Sequence, residues 1–246
     1  VINKKKRAFT LTEVLIALSL MGVILACTVP TLNSRVENRS YAPALKKIYS
    51  TLSDATSNIM LNNSGTLANS FVGATPAIAS RYARDNANMF AKTLEYTRTC
   101  NSGAVISGGC WAASTSKLSG GASVEGFVPE MYEGAVLADG TLLLFRITNN
   151  SCDGMLPAPI ISPTLPYNAD NNVSCGSIMV DLNGVKVPNR IGRDIFLFAL
   201  GANGIFPGGE GRTEFNNQQV ECNPASNAVD GYGCAGRVLD EGEMNY

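Results

Sequence analysis

The chain has 246 residues, 45% of them hydrophobic and 16% charged, and a formal net charge of −1. That is enough for one apolar anchor and one globular domain, and too near neutrality for a surface built wholly around nucleic acid. With no histidine, Ser-His-Asp hydrolysis, Cys-His nucleophiles and histidine-ligated metal catalysis are excluded, and no P-loop or G-x-S-x-G elbow occurs. The expectation is a protein that is not an enzyme.

Lys4, Lys5, Lys6 and Arg7 open the chain, followed by Ala8, Phe9, Thr10, Leu11, Thr12 and Glu13 and then an apolar run to Val29. Residues 9–29 read as one helix which, at about 1.5 Å per residue, crosses the roughly 30 Å hydrocarbon core of a bilayer. The basic cluster keeps the N-terminus cytoplasmic and sends the chain beyond Val29 outward. Glu13 lies one turn into the run, where an unpaired carboxylate at mid-bilayer costs on the order of 3 kcal/mol or more. A charge kept in such a place has a partner.

These residues resemble the class III signal of type IV pilins and type II secretion pseudopilins: a short basic leader, a small residue, Phe, a Thr-Leu-x-Glu step and an apolar helix. The resemblance implies that a prepilin peptidase cuts between Ala8 and Phe9 and methylates the new amine of Phe9. The family most often has Gly where this chain has Ala8, which is also small. Packed helix ends bearing positive amines repel one another. Glu13 therefore reads as the assembly salt bridge, neutralising the Phe9 amine of a neighbouring subunit in low dielectric. A rival pattern, Ile24-Leu25-Ala26-Cys27, resembles a lipobox and would make the chain a surface lipoprotein acylated at Cys27. Glu13 is misplaced in such a signal, and the residues after Cys27 look helical.

The helical signal continues over 30–62 as an amphipathic extension. Tyr41, Leu45, Ile48, Leu52, Ala55 and Ile59 recur at steps of four and three, one stripe that should bury against the head's own sheet. Lys46, Lys47, Ser50 and Asp54 fall mostly off it. Pro30 and Pro43 are expected to kink the axis, and Asn62, Asn63, Ser64 and Gly65 to end it. Residues 1–8 thus read as leader, 9–29 as transmembrane and assembly helix, 30–62 as its continuation, and 63–246 as an extracytoplasmic head.

In the head, a second helix is expected over 76–96, with Ile78, Tyr82, Met89, Phe90 and Leu94 on one side. Beyond Thr99 the composition turns to Gly, Ser and Asn, the look of strands tied by loops. Asp139-Gly140 should join strands 134–138 and 141–148 through a type I′ turn, and 177–182 and 194–200 read as two more. Residues 195–200 are apolar on both alternating faces and should be covered on both sides. Residues 201–246 look like a looped tail. The fold class is α+β and pilin-like: a long N-terminal membrane-spanning helix packed on an antiparallel β-sheet head with disulfide-tied loops.

One cysteine lies in the apolar run and six beyond it, an even set in a segment expected to face outward, where disulfides persist. Many pairings are open; the sequential set, Cys100 with Cys110, Cys152 with Cys175 and Cys222 with Cys234, is the expected one. Each bridge contributes about 2–4 kcal/mol by constraining the unfolded chain. Zinc is disfavoured by the lack of His and of any C-x-x-C pair.

Residues 181–196 resemble a loop that recurs in pilin-like proteins, with D-x-N-G leading to P-N and then G-x-D-x-F. Asp181, Asn183, Asn189 and Asp194 offer hard oxygen ligands for Ca²⁺, although the run is not an EF-hand. The other reading is an Asx-type turn in which these side chains bond backbone amides. The resemblance implies a structural filament subunit whose partners are copies of itself, other pilin-like subunits, the prepilin peptidase and an inner-membrane assembly platform. It would sit in a bacterial inner membrane, then in a periplasmic pseudopilus or cell-surface filament. The alternative is a minor pilin binding DNA or a surface at the tip, and losing the four basic leader residues does not favour DNA.

Overall fold

The computed structural model describes residues 10–71, 86–121, 124, 127–153, 174–209, 222–225 and 231–246, with backbone alone for 27–39. Ala8, Phe9, Ile78 and Tyr82 lie outside the described residues. The chain divides into two compact units, Val1–Ser40 and Tyr41–Tyr246.

Helix α1 runs Leu11–Leu61, and neither Pro30 nor Pro43 ends it. Pro43 is exposed, and the helix runs on through it without the hydrogen bond a proline cannot donate. The stop comes where αL-tolerant residues stand: Ser64 and Gly65 have φ of 55° and 83°, and the Gly65 amide donates to the Met60 carbonyl at 2.9 Å.

Within the Tyr41–Tyr246 unit lies a six-stranded antiparallel sheet whose spatial order repeats its order in the chain. Its strands are β1 Tyr96–Cys100, β2 Glu133–Leu137, β3 Leu142–Ile147, β4 Ser174–Asp181, β5 Ile195–Gly201 and β6 Gly204–Pro207. Side chains alternate along each strand, so the sheet feeds two cores. Leu143, Phe145, Ile178, Val180, Phe196, Phe198 and Leu200 join Leu45, Ile48, Leu52, Ala55 and Ile59 of α1 in one. Leu142, Leu144, Met179, Ile195 and Leu197 face the other, which Trp111, Tyr132, Ile191 and Tyr232 complete. The α1 stripe is buried throughout, from Leu45 and Leu52 at 0% exposure to Tyr41 and Ile59 at 7%. Strand β5 is buried along its whole length because each of its faces has a core to enter.

Three local expectations need correction. The β2–β3 connection is not a type I′ turn: Leu137 bonds to Thr141 and the Gly140 amide donates to the Leu137 carbonyl, leaving 138–140 as the loop. Only Gly140, at 89°, has positive φ there; this is the three-residue hairpin with glycine in the left-handed position, since Ala138 adds a residue to the connection. The second helix is described only over 86–90, with turns following and Tyr96 opening β1; Phe90 and Leu94 are buried all the same. Residues 201–246 are not simply a looped tail: β6 pairs with β5, and a further helix, α2, runs Cys234–Glu241. Glycine-rich flanks hid both, because Gly201 and Gly204 close the β5–β6 hairpin and Gly242, at φ 79°, caps α2.

Candidate functional site

Helix α1 starts on a reciprocal cap. Thr10 Oγ1 accepts from the Glu13 amide at 3.3 Å, while Glu13 Oε2 accepts from the Thr10 amide and the Thr10 hydroxyl, both at 2.8 Å. This is a capping box, which satisfies donors that a helix N-terminus otherwise leaves open. Every described side chain from 10 to 26 is exposed, among them Leu11 at 79%, Leu18 at 61% and Val23 at 65%. A helix apolar on all sides has no face to turn toward water, and each large apolar side chain left there forgoes about 1.5–3 kcal/mol of burial. Among the described residues no helix is long and apolar enough to cross a membrane. The stretch with described side chains, 11–26, measures roughly 24 Å as a helix, short of the roughly 30 Å hydrocarbon core.

The head carries the second predicted cluster. Asp181 ends β4 and Asp194 precedes β5, and both are fully buried, with Asn189 at 5% exposure. Asp194 bonds backbone amides earlier in the chain: Oδ2 accepts from the Asn189 amide at 2.8 Å and Oδ1 from the Arg190 amide at 2.7 Å. Asp181 Oδ1 accepts from the Asn183 amide at 3.2 Å, and Asn183 Nδ2 donates to the Tyr41 hydroxyl at 3.0 Å. Three buried oxygens of the set, Asp181 Oδ2, Asn183 Oδ1 and Asn189 Oδ1, have no hydrogen-bond partner among the described residues. Burial and then the charge of Asp194 push the Asp181 carboxyl up to about 8, against the pull of the Asn183 and Gly184 amides. Burial raises Asp194 too, with the Arg190 and Asn189 amides opposing. Orphaned buried oxygens of this hardness fit a cation such as Ca²⁺. Among the described residues no three His, Cys, Asp or Glu side chains gather to hold a metal, so amide and main-chain oxygens would supplement the two carboxylates.

Residues 3–26 match the family model described as the prokaryotic N-terminal methylation motif. The chain carries a prepilin-type signal. The matched span holds the basic cluster, Ala8, Phe9, Glu13 and the exposed apolar turns, while Cys27 falls just beyond it. No curated protein and no solved structure matches the chain significantly.

Two features of the site go beyond the sequence expectations. Within the prepilin-type signal, Thr10-Leu11-Thr12-Glu13 has the T-x-x-E spacing of a capping box, the one signal in the sequence that points to this cap. In the head, the 181–194 loop is backed by α2 and the last residue. The Tyr246 hydroxyl donates to the Gly192 carbonyl, and the Arg237 guanidinium lies over the Tyr246 ring, 5.1 Å from its centre. Arg237 also donates to the Cys222 carbonyl at 3.1 Å and pairs with Glu241 at 2.9 Å. Gly192, at φ 84°, has no room for a side chain, because a Cβ there would stand 2.7 Å from Cys234 Sγ. The disulfides are Cys100–Cys110, Cys152–Cys175 and Cys222–Cys234, the last setting α2 against this loop.

Proposed function

We propose that the protein is a structural subunit of a type IV pilus-like filament or type II secretion pseudopilus, cut between Ala8 and Phe9, methylated at Phe9 and assembled through its N-terminal helix. The observation that carries this reading is the coincidence of the methylation motif at 3–26 with a helix whose apolar side chains are exposed on every side. Such a surface needs either lipid or copies of itself, and a subunit that passes from bilayer to filament uses both in turn. Residues 9–29 cross the inner membrane before assembly, with the head outside, and the role is mechanical, not catalytic.

The capping box gives Glu13 two successive duties. Before assembly its Oε2 holds the start of the helix through Thr10; in the filament the same carboxylate meets the Phe9 amine of an adjoining subunit. Head-to-tail packing of this kind yields an open helical fibre. Intact-mass measurement of the mature protein tests the reading: the mass of a chain starting at N-methylated Phe9 is expected, and a retained basic leader sinks it.

A second property is proposed for the head. The three orphaned oxygens at Asp181, Asn183 and Asn189 favour a bound hard cation over a turn closed by hydrogen bonds alone. Thermal melting with Ca²⁺ and then with EGTA decides between them: reversible stabilisation supports the cation, and superimposed curves leave the turn.

A further inference from the structure

The last turns of α1, the turn after it and the segment around residues 88–93 enclose a groove of about 430 Å³, within the size range of small-molecule sites. It lies wholly inside the Tyr41–Tyr246 unit. Its floor is apolar, from buried Ile59 and half-buried Met89. Its rim is rich in carboxamides, with Ser70, Lys92 and Thr93 beside them: Asn58, Asn62, Asn69 and Asn88 all line it and are all exposed.

The amides are not all spent on the fold. Asn58 and Asn62 stand one helical turn apart on one face. Asn62 Nδ2 donates to the Asn58 carbonyl at 2.8 Å, and Asn58 Nδ2 donates to Thr93 Oγ1 at 3.1 Å, tying the two walls together. Among the described residues, that leaves the oxygens of both side chains open to a donor. The side chains of Asn69 and Asn88 make no hydrogen bond among the described residues. Each therefore offers a donor and an acceptor side by side, the pairing that adjacent sugar hydroxyls can meet.

The remaining chemistry narrows the ligand. Lys92 is the one charged side chain among the described lining residues, too little to hold a polyanion by charge. Among those residues no aromatic ring lines the groove, so stacked bases have no platform. A polar rim over an apolar floor suits a ring with hydroxyls at its edge and C–H bonds on its face. We propose that this groove binds a neutral oligosaccharide. The inference stands whether or not the chain polymerises.

The test uses the full chain in lipid nanodiscs, which avoids glycoside detergents, titrated with maltotriose, cellotriose and chitotriose, and with trigalacturonate as an acidic comparator. At least one neutral trisaccharide is expected to bind at millimolar concentration or below and to shift the side-chain amide resonances of Asn62 and Asn88. Asn88→Ala, which removes no hydrogen bond among the described residues, is expected to weaken binding about tenfold, the loss of one to two good hydrogen bonds, while Lys92→Ala leaves it unchanged. Asn58→Ala should weaken it too, and equal melting temperatures separate that loss from unfolding. The proposal is overturned if no neutral trisaccharide binds at about 10 mM, if Asn88→Ala leaves the affinity unchanged, or if only trigalacturonate binds and Lys92→Ala abolishes it.

Discussion

Two stretches of α1 carry apolar residues in different arrangements and end in opposite circumstances. Over 11–26 the apolar side chains point in every direction and all are exposed; from Tyr41 to Ile59 they keep to one stripe and are buried. A stripe is answered by a sheet of the same chain, whereas an unbroken apolar surface must be answered by something outside it. The distribution of apolar residues around the axis, as well as their number, tells an internal contact from an external one.

The comparison breaks first at its strongest point. Leu52→Ala opens a cavity under the sheet and is expected to cost about 2–5 kcal/mol in chemical denaturation, while Leu18→Ala should move the same curve by less than about 0.5 kcal/mol. If Leu18→Ala costs as much as Leu52→Ala, the exposed stretch has a partner within the chain. Next in size, replacing Cys152 and Cys175 together with Ala should lower head stability by about 2–4 kcal/mol without altering membrane association, measured by melting and flotation. At the N-terminus, Thr10→Ala removes one half of the capping box and is expected to cost about 1 kcal/mol of helix stability, seen as faster amide exchange in the first turn.

The subtlest prediction concerns pH. The Asp181 carboxyl is raised from 3.8 to about 8, so between those values the folded chain holds a proton that the unfolded chain has released. Stability contributed by that carboxyl is full below the lower value and falls as pH rises toward the upper one. Asp181→Asn should flatten the slope and gain on the wild type most above about pH 8, measured in EGTA by urea unfolding. Parallel curves for the two proteins would show that the carboxyl titrates normally.

Much of this was legible because periodicity reports burial directly. The α1 stripe and the doubly covered 195–200 segment follow from apolar spacing, and a terminator of two asparagines, serine and glycine marks the helix end. The hairpin at Asp139-Gly140 was legible in place but not in kind, since a one-residue difference in loop length changes the turn without changing the dipeptide. Strand β6 and α2 were hidden for another reason: they are short, and their stability comes from β5, Cys222 and the 181–194 loop, partners far away in the chain. At the site, Asp194 and Asn189 could be named from the sequence, but the three oxygens left open could only be found once the turn had formed.

The order of the strands also bears on how the head is made. Because each strand pairs with the one before it, and each disulfide joins a cysteine to the next along the chain beyond Cys27, the growing polypeptide can add hairpins and crosslinks in the sequence of their synthesis. No early strand has to wait, edge exposed, for a later one to slip between it and its neighbour.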